Sequence, residues 1–563
     1  MKKYFTLIFI SLLALNTSKA QSWSWAEGGQ KPNGKYAGQE NTIAEDLNGD
    51  SFMLGTFGDT LSFGGNAIIS NSMYSNTFLV KYNSSGSPLW VKAMFITSKS
   101  FAEAGSVVTD ALGNVFMSGT FNDSIKFGSL WLTDTFSINT SYLVKYNSSG
   151  KLLWAKQFNI ANNGNSLIDG GALVTDNIGN VYMTGAFIGQ AFCGKDTIRC
   201  NYATFYLCKF DSSGNLIWLK QAIGNGIAAS SGHSISMDSH NNLYIIGNFY
   251  SGTVSFSGYN INDIGNGDLT FIAKYDSAGH PLWVNQTTGT HNTSSDGWAI
   301  ITDPNGNSYI SGQFVDSISF GGHYLYNSSN NLGAFIVKYD SNGKVKWAAQ
   351  SNMDSANGSW VGYSLSIDKK EHVYLSGGGS DSVLRFGSFT LKGKISTSAA
   401  FLIQFDSSGN AICGSIIPNT TPYSNVISDS SGSNIYWASA IYRDSLVFGT
   451  DTIETDTLSY LGAFIAKWVP CGAPSGVKRL SDKYSVNIYP NPSKGITTIQ
   501  LSGVNCQSSI EIYNMLGEKI YTSKLNPTNT QINLSNNPNG IYLYRLLTET
   551  GGLISTGKIV IQK

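Results

Sequence analysis

One unit of about 64 residues recurs seven times along this chain, and no other feature restricts its fold so strongly. The clearest marker is a tryptophan that returns at nearly constant spacing. Its positions are Trp25, Trp90, Trp154, Trp218, Trp283 and Trp347, and Cys413 occupies the seventh place. Successive tryptophans are 64 or 65 residues apart, so the register is kept from one unit to the next.

Each unit contains four short segments with the composition of β-strands, joined by turns. In the second unit, the turn 110–114 (DALGN) is followed by VFMSGTF, then by SYLVKY and by KLLWAKQ. The turn begins at an aspartate in every unit: Asp46, Asp110, Asp176, Asp238, Asp303, Asp368 and Asp429. A glycine late in such a turn adopts the positive φ that a tight hairpin needs. The pattern therefore predicts an all-β fold with four strands in each unit.

The two ends of the repeat are out of phase. The seventh unit stops after Lys467 and Trp468 and lacks its fourth strand, whereas a spare tryptophan strand, 23–26, lies near the N-terminus. This strand can complete the last unit and close a ring, which removes free strand edges. We therefore predict a seven-bladed β-propeller over residues 21–470, with an open β-solenoid as the alternative. Since each unit exceeds the usual blade of roughly 40–50 residues, we expect long loops before the Lys-Tyr segment.

These units resemble the β-propeller repeats found in tandem in exported bacterial proteins. The resemblance covers residues 21 to 470 and depends on three features: the Asp-x-x-Gly-Asn turn, the Gly-x-Phe segment, and the Lys-Tyr-Asp-Ser-x-Gly segment before the tryptophan. It implies a fold but little chemistry, because one scaffold of this kind can carry many unrelated functions.

The composition limits the classes of partner. Of 563 residues only 13% are charged, and 36 basic residues balance 36 acidic ones. A nucleic-acid-binding protein normally carries a basic excess, so we expect no nucleic-acid partner. A disordered chain would not be 12% aromatic, so the sequence predicts a folded protein.

Residues 1–20 have the pattern of a secretory signal peptide. Two lysines precede an apolar run over 4–15, and a small-residue cleavage site, Ser18-Lys19-Ala20, precedes Gln21. A membrane anchor is the alternative, although the run is shorter than the ~20 residues that a spanning helix needs. We expect an exported chain with no transmembrane segment after signal cleavage.

Six cysteines are too few for a disulfide framework in a chain of this length. Cys193 and Cys200 are close enough in sequence for a local bridge, unless hairpin geometry forbids it. Cys413 and Cys471 flank the last repeat and could pair. The sequence has no CxxC motif and no histidine-rich cluster, so we predict neither a metal site nor a cofactor.

After a linker over 471–483 the repeat ends, and residues 484–563 contain seven short alternating segments, which predict a small Ig-like β-sandwich. This region closely resembles the C-terminal sorting domain of type IX secretion substrates of the Bacteroidetes. The residues that carry the resemblance include Pro490, Asn491, Pro492, Gly517, Gly540 and Lys558. It implies that the type IX secretion machinery reads the domain, and that the protein is secreted or attached to the outer-membrane surface. An ordinary Ig-like module is the alternative.

Positions that differ between repeats are free to carry function. Seven residues before the repeat aspartate lie Glu103, Asp169 and Asp296, and five residues before it lie His233, Trp298 and Tyr363. If the strand that carries them is innermost, these side chains gather near one mouth of a central channel. Acidic and aromatic groups in such a place suit sugars or cations.

The sequence contains no Gly-x-Ser-x-Gly elbow, no P-loop and no HExxH motif. We therefore expect a secreted or cell-surface protein with a binding or structural role and no catalysis, whose partners are surface glycans or proteins. The alternative is a propeller hydrolase or lyase that acts on glycans, with Glu103, Asp169 or Asp296 as acid and base. Two carboxylates that converge beside Trp298 or His233 would favour this alternative.

Overall fold

The computed structural model describes residues 22–470 and 485–563 apart from short internal gaps. The gaps are 30–35, 38–41, 59, 71–73, 98–99, 135–138, 161–166, 169–170, 194–195, 264–266, 290–292, 328–330, 353–357, 394–397, 430, 442–444, 449–450, 455–461, 503–507, 515–516, 526–528 and 549–552. The chain divides into two compact units, Met1–Ala473 and Pro474–Lys563. Throughout the described residues the regular elements are strands and none is a helix, as the sequence predicts. The predicted signal peptide and linker lie outside the described residues.

Repeats 1 to 6 of the first unit each form an antiparallel sheet in which the first strand pairs with the second, the second with the third and the third with the fourth, and the three strands of repeat 7 pair in the same order. The strands of repeat 1 are Thr42–Glu45, Ser51–Gly58, Asn76–Tyr82 and Pro88–Ala93; those of repeat 2 are Ala102–Thr109, Val115–Phe121, Thr140–Tyr146 and Leu152–Gln157; and those of repeat 3 are Ala172–Thr175, Val181–Cys193, Asp196–Phe210 and Leu216–Gln221. The strands of repeat 4 are Ala229–Met237, Leu243–Tyr250, Leu269–Tyr275 and Pro281–Gln286, and those of repeat 5 are Ser294–Thr302, Ser308–Val315, Gly333–Tyr339 and Val345–Asn352. The strands of repeat 6 are Trp360–Ile367, Val373–Gly379, Ala399–Phe405 and Ala411–Pro418, and those of repeat 7 are Asn425–Ser428, Ile435–Ile441 and Gly462–Val469. Short strands, Tyr36–Ala37, Asn159–Ile160 and Leu167–Ile168, also pair with the second strands of repeats 1 and 3.

The seventh sheet is completed from the N-terminus. Strand Ser22–Gly28 pairs antiparallel with Gly462–Val469, and this pairing supplies the fourth strand that repeat 7 lacks. Phe78 of repeat 1 shares an apolar cluster with Tyr436 and Ile465 of repeat 7. The first strands contact one another in order from repeat 1 to repeat 7, and those of repeats 1 and 7 are also in contact.

The repeat aspartate organises the turn between the first and second strands. In repeat 4, Oδ1 of Asp238 accepts backbone N–H groups of His240 and Asn242 at 2.9 Å each. Its Oδ2 accepts from the Asn242 amide at 2.8 Å and from the Tyr244 hydroxyl at 3.2 Å, and Lys274 Nζ lies 3.9 Å away. Burial alone would raise the pKa of Asp238, but these hydrogen bonds hold it below its ordinary value. The aspartate is a structural residue that ties three strands together.

The repeating tryptophan joins one sheet to the next. The indole N–H of Trp154 donates to the Ser212 carbonyl at 3.1 Å, and that of Trp283 donates to the Ser341 carbonyl at 3.2 Å. Both carbonyls belong to the turn before the fourth strand of the following repeat. The indole of Trp283 also lies against Gly343, which has a φ of 78° and no room for a side chain. The spacing of 64 or 65 residues therefore reflects a contact that recurs between neighbouring sheets.

The extra length of each unit forms ordered hairpins, so the expectation of long loops is wrong. The outer hairpins are Thr60–Phe63 with Asn66–Ile69, Asp123–Phe127 with Leu130–Asp134, Gly252–Phe256 with Tyr259–Asp263, Ser317–Phe320 with His323–Tyr326, Val383–Phe386 with Phe389–Lys392, and Ser445–Phe448 with Asp451–Glu454. Four of them gain a third strand, which is Phe95–Ile96, Ile223–Gly224, Thr288–Gly289 or the end of Val345–Asn352. In repeat 3 the second and third strands themselves extend outward as one long hairpin. The Phe-Gly segment forms the first arm of each hairpin, and the alternating apolar residues of this arm pack inward.

Two cysteine pairings were open in the sequence. Cys200 is a free thiol, so a bridge to Cys193 is wrong. In the hairpin of repeat 3 Cys200 faces Gly189 across the ladder, whereas Cys193 faces Asp196, which places the two cysteines on different rungs. Cys413 is disulfide-bonded. Its predicted partner, Cys471, lies outside the described residues.

In the described part of the second unit, seven strands form a β-sandwich. One sheet contains Ser485–Tyr489, Ile496–Ser502 and Asn529–Asn533, and the other contains Ser508–Tyr513, Lys519–Leu525, Gly540–Thr548 and Leu553–Ile561. Ile499 and Ile532 of the first sheet share a buried core with Ile510, Leu546 and Ile559 of the second. The seven alternating segments of the sequence correspond to these seven strands.

Candidate functional site

Three of the predicted site residues occupy the same irregularity in three consecutive repeats. The ladder between the first and second strands shifts by one residue around His233, around Trp298 and around Tyr363. A β-bulge of this kind turns one side chain out of the regular alternation of the strand. In repeats 4, 5 and 6 the bulged side chain therefore points in a direction that the regular alternation of the strand does not set.

The glycine of the Gly-x-Phe segment makes room for the bulge. A Cβ atom on Gly312 would lie 1.9 Å from the Asp296 carbonyl oxygen, and one on Gly247 would lie 1.9 Å from that of Ser231. These carbonyls stand two residues before the bulged side chains. The first strand can approach the second strand this closely only where the second strand has no side chain.

The bulged side chains and one tyrosine of repeat 7 form an aromatic row, defined here as His233, Trp298, Tyr363 and Tyr423. The ring centroids of His233 and Trp298 are 4.8 Å apart and the planes differ by 14°. Tyr363 lies 5.8 Å from Trp298, and Tyr423 lies 4.9 Å from Tyr363. His233 Nδ1 is 2.9 Å from the Gly297 carbonyl, which can only accept. Nδ1 therefore carries the proton when the ring is neutral, and Nε2 is left as an acceptor.

His233, Trp298 and Tyr363 of the row form one wall of a cavity of about 450 Å³, and the first strand of every repeat contributes to this cavity. Tyr423 packs against Tyr363 but is not among the residues that line it. Opposite the row, repeats 2 and 3 line the cavity with Gly105, Ser106, Gly171 and Ala172. Repeats 4 to 6 supply His233, Trp298 and Tyr363 at the equivalent height. One side of the cavity is therefore lined by small residues and the other by aromatic rings. This asymmetry suits a ligand that binds against the aromatic side.

Asp296 is held beside the aromatic row by two amides. Its carboxylate accepts from the side chain of Asn248 and from that of Gln313, the latter at 2.6 Å. Burial raises the pKa of Tyr363, and the nearby charges of Tyr423 and Asp296 add to this effect. Asp296 therefore lies beside the row, although it is not among the residues that line the cavity.

A second acidic residue, Asp268, which the sequence did not lead us to expect, lies next to the strand of Asp296: its carbonyl accepts the Ser295 N–H at 2.8 Å. Burial raises the pKa of Asp268, the charge of Asp296 raises it further, and His233 acts in the opposite direction. Asp268 precedes the third strand of repeat 4, whereas the predictions considered only first strands. The equivalent positions in other repeats, such as Leu332 and Ser398, are uncharged. Comparing the repeats at this position would therefore have identified Asp268 as unusual.

The remaining predicted residues do not join this group. The side chain of Glu103 is exposed, and Glu103 is not among the residues that line the cavity. Asp169 lies outside the described residues. No group of His, Cys, Asp or Glu residues in the described chain could hold a metal ion. Likewise, no helix within those residues could span a membrane.

The predicted sorting residues link the two ends of the second unit. The Asn491 amide donates to the Lys558 carbonyl at 2.9 Å, and its oxygen accepts the Val560 N–H at 2.7 Å. The Pro490 carbonyl accepts from the Thr497 hydroxyl. Gly517, with a φ of 83°, closes a turn, whereas Gly540 begins a strand on the surface. Asn491 therefore fastens the proline-rich segment to the last strand.

Residues 487–562 match the family model of the secretion system C-terminal sorting domain. This match confirms the sorting domain and indicates export by the type IX secretion system, with the protein secreted or attached to the outer-membrane surface. Comparison with curated proteins finds no match.

Three solved structures share a general likeness with the chain. A protein of unknown function from Dyadobacter fermentans DSM 18053 is 8% identical, with a TM-score of 0.36 over 78% of this chain and 97% of its own. PorZ, a surface component of the type IX secretion system of Porphyromonas gingivalis, is 12% identical, with a TM-score of 0.24 over 94% and 83%. A member of the duf4221 family from Bacteroides vulgatus is 8% identical, with a TM-score of 0.29 over 81% and 99%. All three TM-scores are below 0.5, so these likenesses carry no information about function.

Proposed function

We propose that the first unit is a seven-bladed β-propeller in which each repeat sheet is one blade. Three observations support this architecture. The first strands contact one another in a cyclic order, strand Ser22–Gly28 completes the seventh sheet, and all seven repeats line one cavity. In this arrangement the first strands are innermost and the aromatic row faces the axis.

We propose further that the protein is a non-enzymatic binding protein of the cell surface, exported through its sorting domain, and that it binds glycans in the cavity. The aromatic row beside Asp296 is the observation that carries this proposal. Sugars present C–H faces to aromatic rings and hydroxyl groups to acceptors such as His233 Nε2. The small residues opposite leave space for one or two sugar units.

A glycan array followed by calorimetry on the secreted full-length protein tests this proposal. We expect Trp298→Ala to weaken binding at least about tenfold, equivalent to about 1.4 kcal/mol, because the substitution opens the centre of the row. Trp131→Ala is the matched control, since Trp131 lies on the outer hairpin of repeat 2. Equal affinities for the wild type and Trp298→Ala would refute the cavity as the site, and capture of a protein instead of a glycan would change the ligand class.

A glycan hydrolase is the second candidate, and the pairing of Asp268 with Asp296 favours it. Glycoside hydrolases use two carboxyl groups whose environments separate their pKa values. Here the pKa of Asp268 is raised, whereas Asp296 is held by two amides. A hydrolysis screen decides between the candidates: turnover that Asp296→Asn and Asp268→Asn each abolish would make the protein an enzyme. Binding without turnover supports the non-enzymatic proposal.

A further inference from the structure

The outer hairpin of repeat 5 presents two tyrosines side by side, far along the chain from the cavity residues of that repeat. Tyr324 is 80% exposed and Tyr326 is 63% exposed, whereas Leu325 between them is 5% exposed. Residues two apart on a strand point to the same side, so the two side chains are about 7 Å apart along the strand. Within the described residues neither tyrosine has a ring contact or a side-chain hydrogen bond.

The backbone that carries this tyrosine pair is fixed. Gly321 and Gly322 form a two-residue turn with φ values of 53° and 93°, which suits a tight hairpin. The Tyr326 N–H donates to Gln350 Oε1 at 2.8 Å, and Gln350 Nε2 donates to the Tyr326 carbonyl at 2.7 Å. Ile318 and Phe320, on the first arm, are each 1% exposed and belong to the core between repeats 4 and 5. The tyrosines are therefore presented on a preorganised surface, which lowers the entropic cost of binding.

The hairpin fold does not require these tyrosines. The hairpin of repeat 4 has the same clamp, in which Gln286 exchanges two hydrogen bonds of 2.8 Å with the backbone of Asn262. In repeat 4 the two outward positions are Asn260 and Asn262, which correspond to Tyr324 and Tyr326. The same hairpin backbone therefore accepts either asparagines or tyrosines at these two positions. Of the two hairpins, only that of repeat 5 carries the aromatic pair.

The surroundings of the pair select the class of ligand. Hairpin 317–326 contains no Lys or Arg, so it lacks the basic groups that bind nucleic acid or an anionic membrane. The cross-strand partners of Tyr326 and Tyr324 are Ser317 and Ser319, which are small and uncharged. Two tyrosines on a narrow hairpin do not approach the ~800 Å² per partner that a stable protein interface buries. Successive sugar rings of a chain instead need only aromatic surfaces a few ångströms apart, flanked by hydroxyl groups.

We propose that Tyr324 and Tyr326 form a second binding site, separate from the cavity, that takes an uncharged polysaccharide chain along the outside of repeat 5. Each ring contacts the C–H face of one sugar, and the partly exposed hydroxyl of Ser317, opposite Tyr326, bonds to a sugar hydroxyl. This proposal is independent of the ligand of the cavity, because no residue is shared between the two sites.

The test uses affinity electrophoresis of the secreted full-length protein in gels that contain laminarin, mannan or xylan. The double variant Tyr324→Asn with Tyr326→Asn gives repeat 5 the residues that repeat 4 already carries, so the variant is expected to fold. We expect retardation by at least one polysaccharide to weaken about tenfold or more in this variant. Trp131→Ala, on the outer hairpin of repeat 2 and outside both sites, is expected to retain the retardation.

A gain-of-function variant completes the design. Asn260→Tyr with Asn262→Tyr copies the tyrosine pair onto repeat 4, and we expect stronger retardation by the same polysaccharide through a second contact. The proposal is overturned if the wild type is retarded by none of the three polysaccharides, or if the asparagine variant is retarded as strongly as the wild type. If Trp298→Ala lost the retardation while the asparagine variant kept it, the polysaccharide would be assigned to the cavity instead.

Discussion

Repeats 2 and 5 have the same strand frame but present different surfaces to the cavity. In both, the ladder between the first and second strands contains a bulge, and a glycine of the second strand, Gly119 or Gly312, lies under it. Repeat 2 then places Gly105 at the cavity, whereas repeat 5 places Trp298 there. The difference shows that the shared positions determine the path of the backbone, while the bulged position determines what the cavity contains.

The largest effect is expected from breaking the shared part of this comparison. Gly312→Ala would bring a Cβ within 1.9 Å of the Asp296 carbonyl oxygen, and neither backbone can yield without losing the bulge. We expect the free energy of unfolding to fall by about 3 kcal/mol or more, measured by chemical denaturation. The bound ligand should also be lost, because Asp296 and Trp298 lie on the displaced strand.

Gly65→Ala is the control for this experiment. Gly65 has a φ of 83°, but a Cβ atom added there would meet nothing within 4 Å, so only backbone strain of about 1 kcal/mol is expected. If the two variants unfold at the same denaturant concentration, the close approach at Gly312 does not hold the bulge.

The sequence predicted the shared frame well and the contents of the site in part. The tryptophan spacing and the aspartate turns predicted the four strands of each repeat, because each is a local pattern that recurs. The position five residues before the aspartate identified His233, Trp298 and Tyr363 as neighbours in the structure. The bulge was not predicted, since it depends on the register between strands, and Asp268 was missed because it approaches Asp296 from a different strand.

A second difference between repeats concerns the residue before the aspartate, which is Thr109 in repeat 2 and Glu45 in repeat 1. Burial, joined by the charges of Asp429 and Asp46 and opposed by that of Lys467, raises the pKa of Glu45 from 4.5 to about 8. Among the residues that the structure describes, none makes a hydrogen bond with the buried Oε1 of Glu45. Glu45 and Asp429 belong to repeats 1 and 7, so this carboxyl reports on the contact between the two ends of the repeat series.

The raised pKa makes stability depend on pH. Because folded Glu45 holds its proton up to about pH 8 and the unfolded chain releases it near pH 4.5, this stabilisation is complete below pH 4.5 and is lost as pH rises to 8. Allowing for solvent screening of a partly exposed group, we expect a loss of about 2 kcal/mol over that range. Glu45→Gln should remove this slope in denaturation measured at several pH values. Glu103→Gln, at an exposed site, should keep it, and a slope that persists in Glu45→Gln would assign the effect to another group.

The smallest effect on stability is expected from exchanging contents between repeats while the frame stays intact. Trp298→His gives repeat 5 the residue that repeat 4 carries at its bulge, so the strand register should be unchanged. The half-buried indole makes ring contacts with His233 and Tyr363 that an imidazole can partly replace, and we expect the free energy of unfolding to change by less than about 1 kcal/mol. Glycan affinity should nevertheless fall about tenfold, since a shorter ring leaves the middle of the row open. Parallel denaturation and calorimetry on this one variant separate the two roles: a large loss of stability would mean that Trp298 belongs to the frame, whereas unchanged affinity would mean that the row does not touch the ligand.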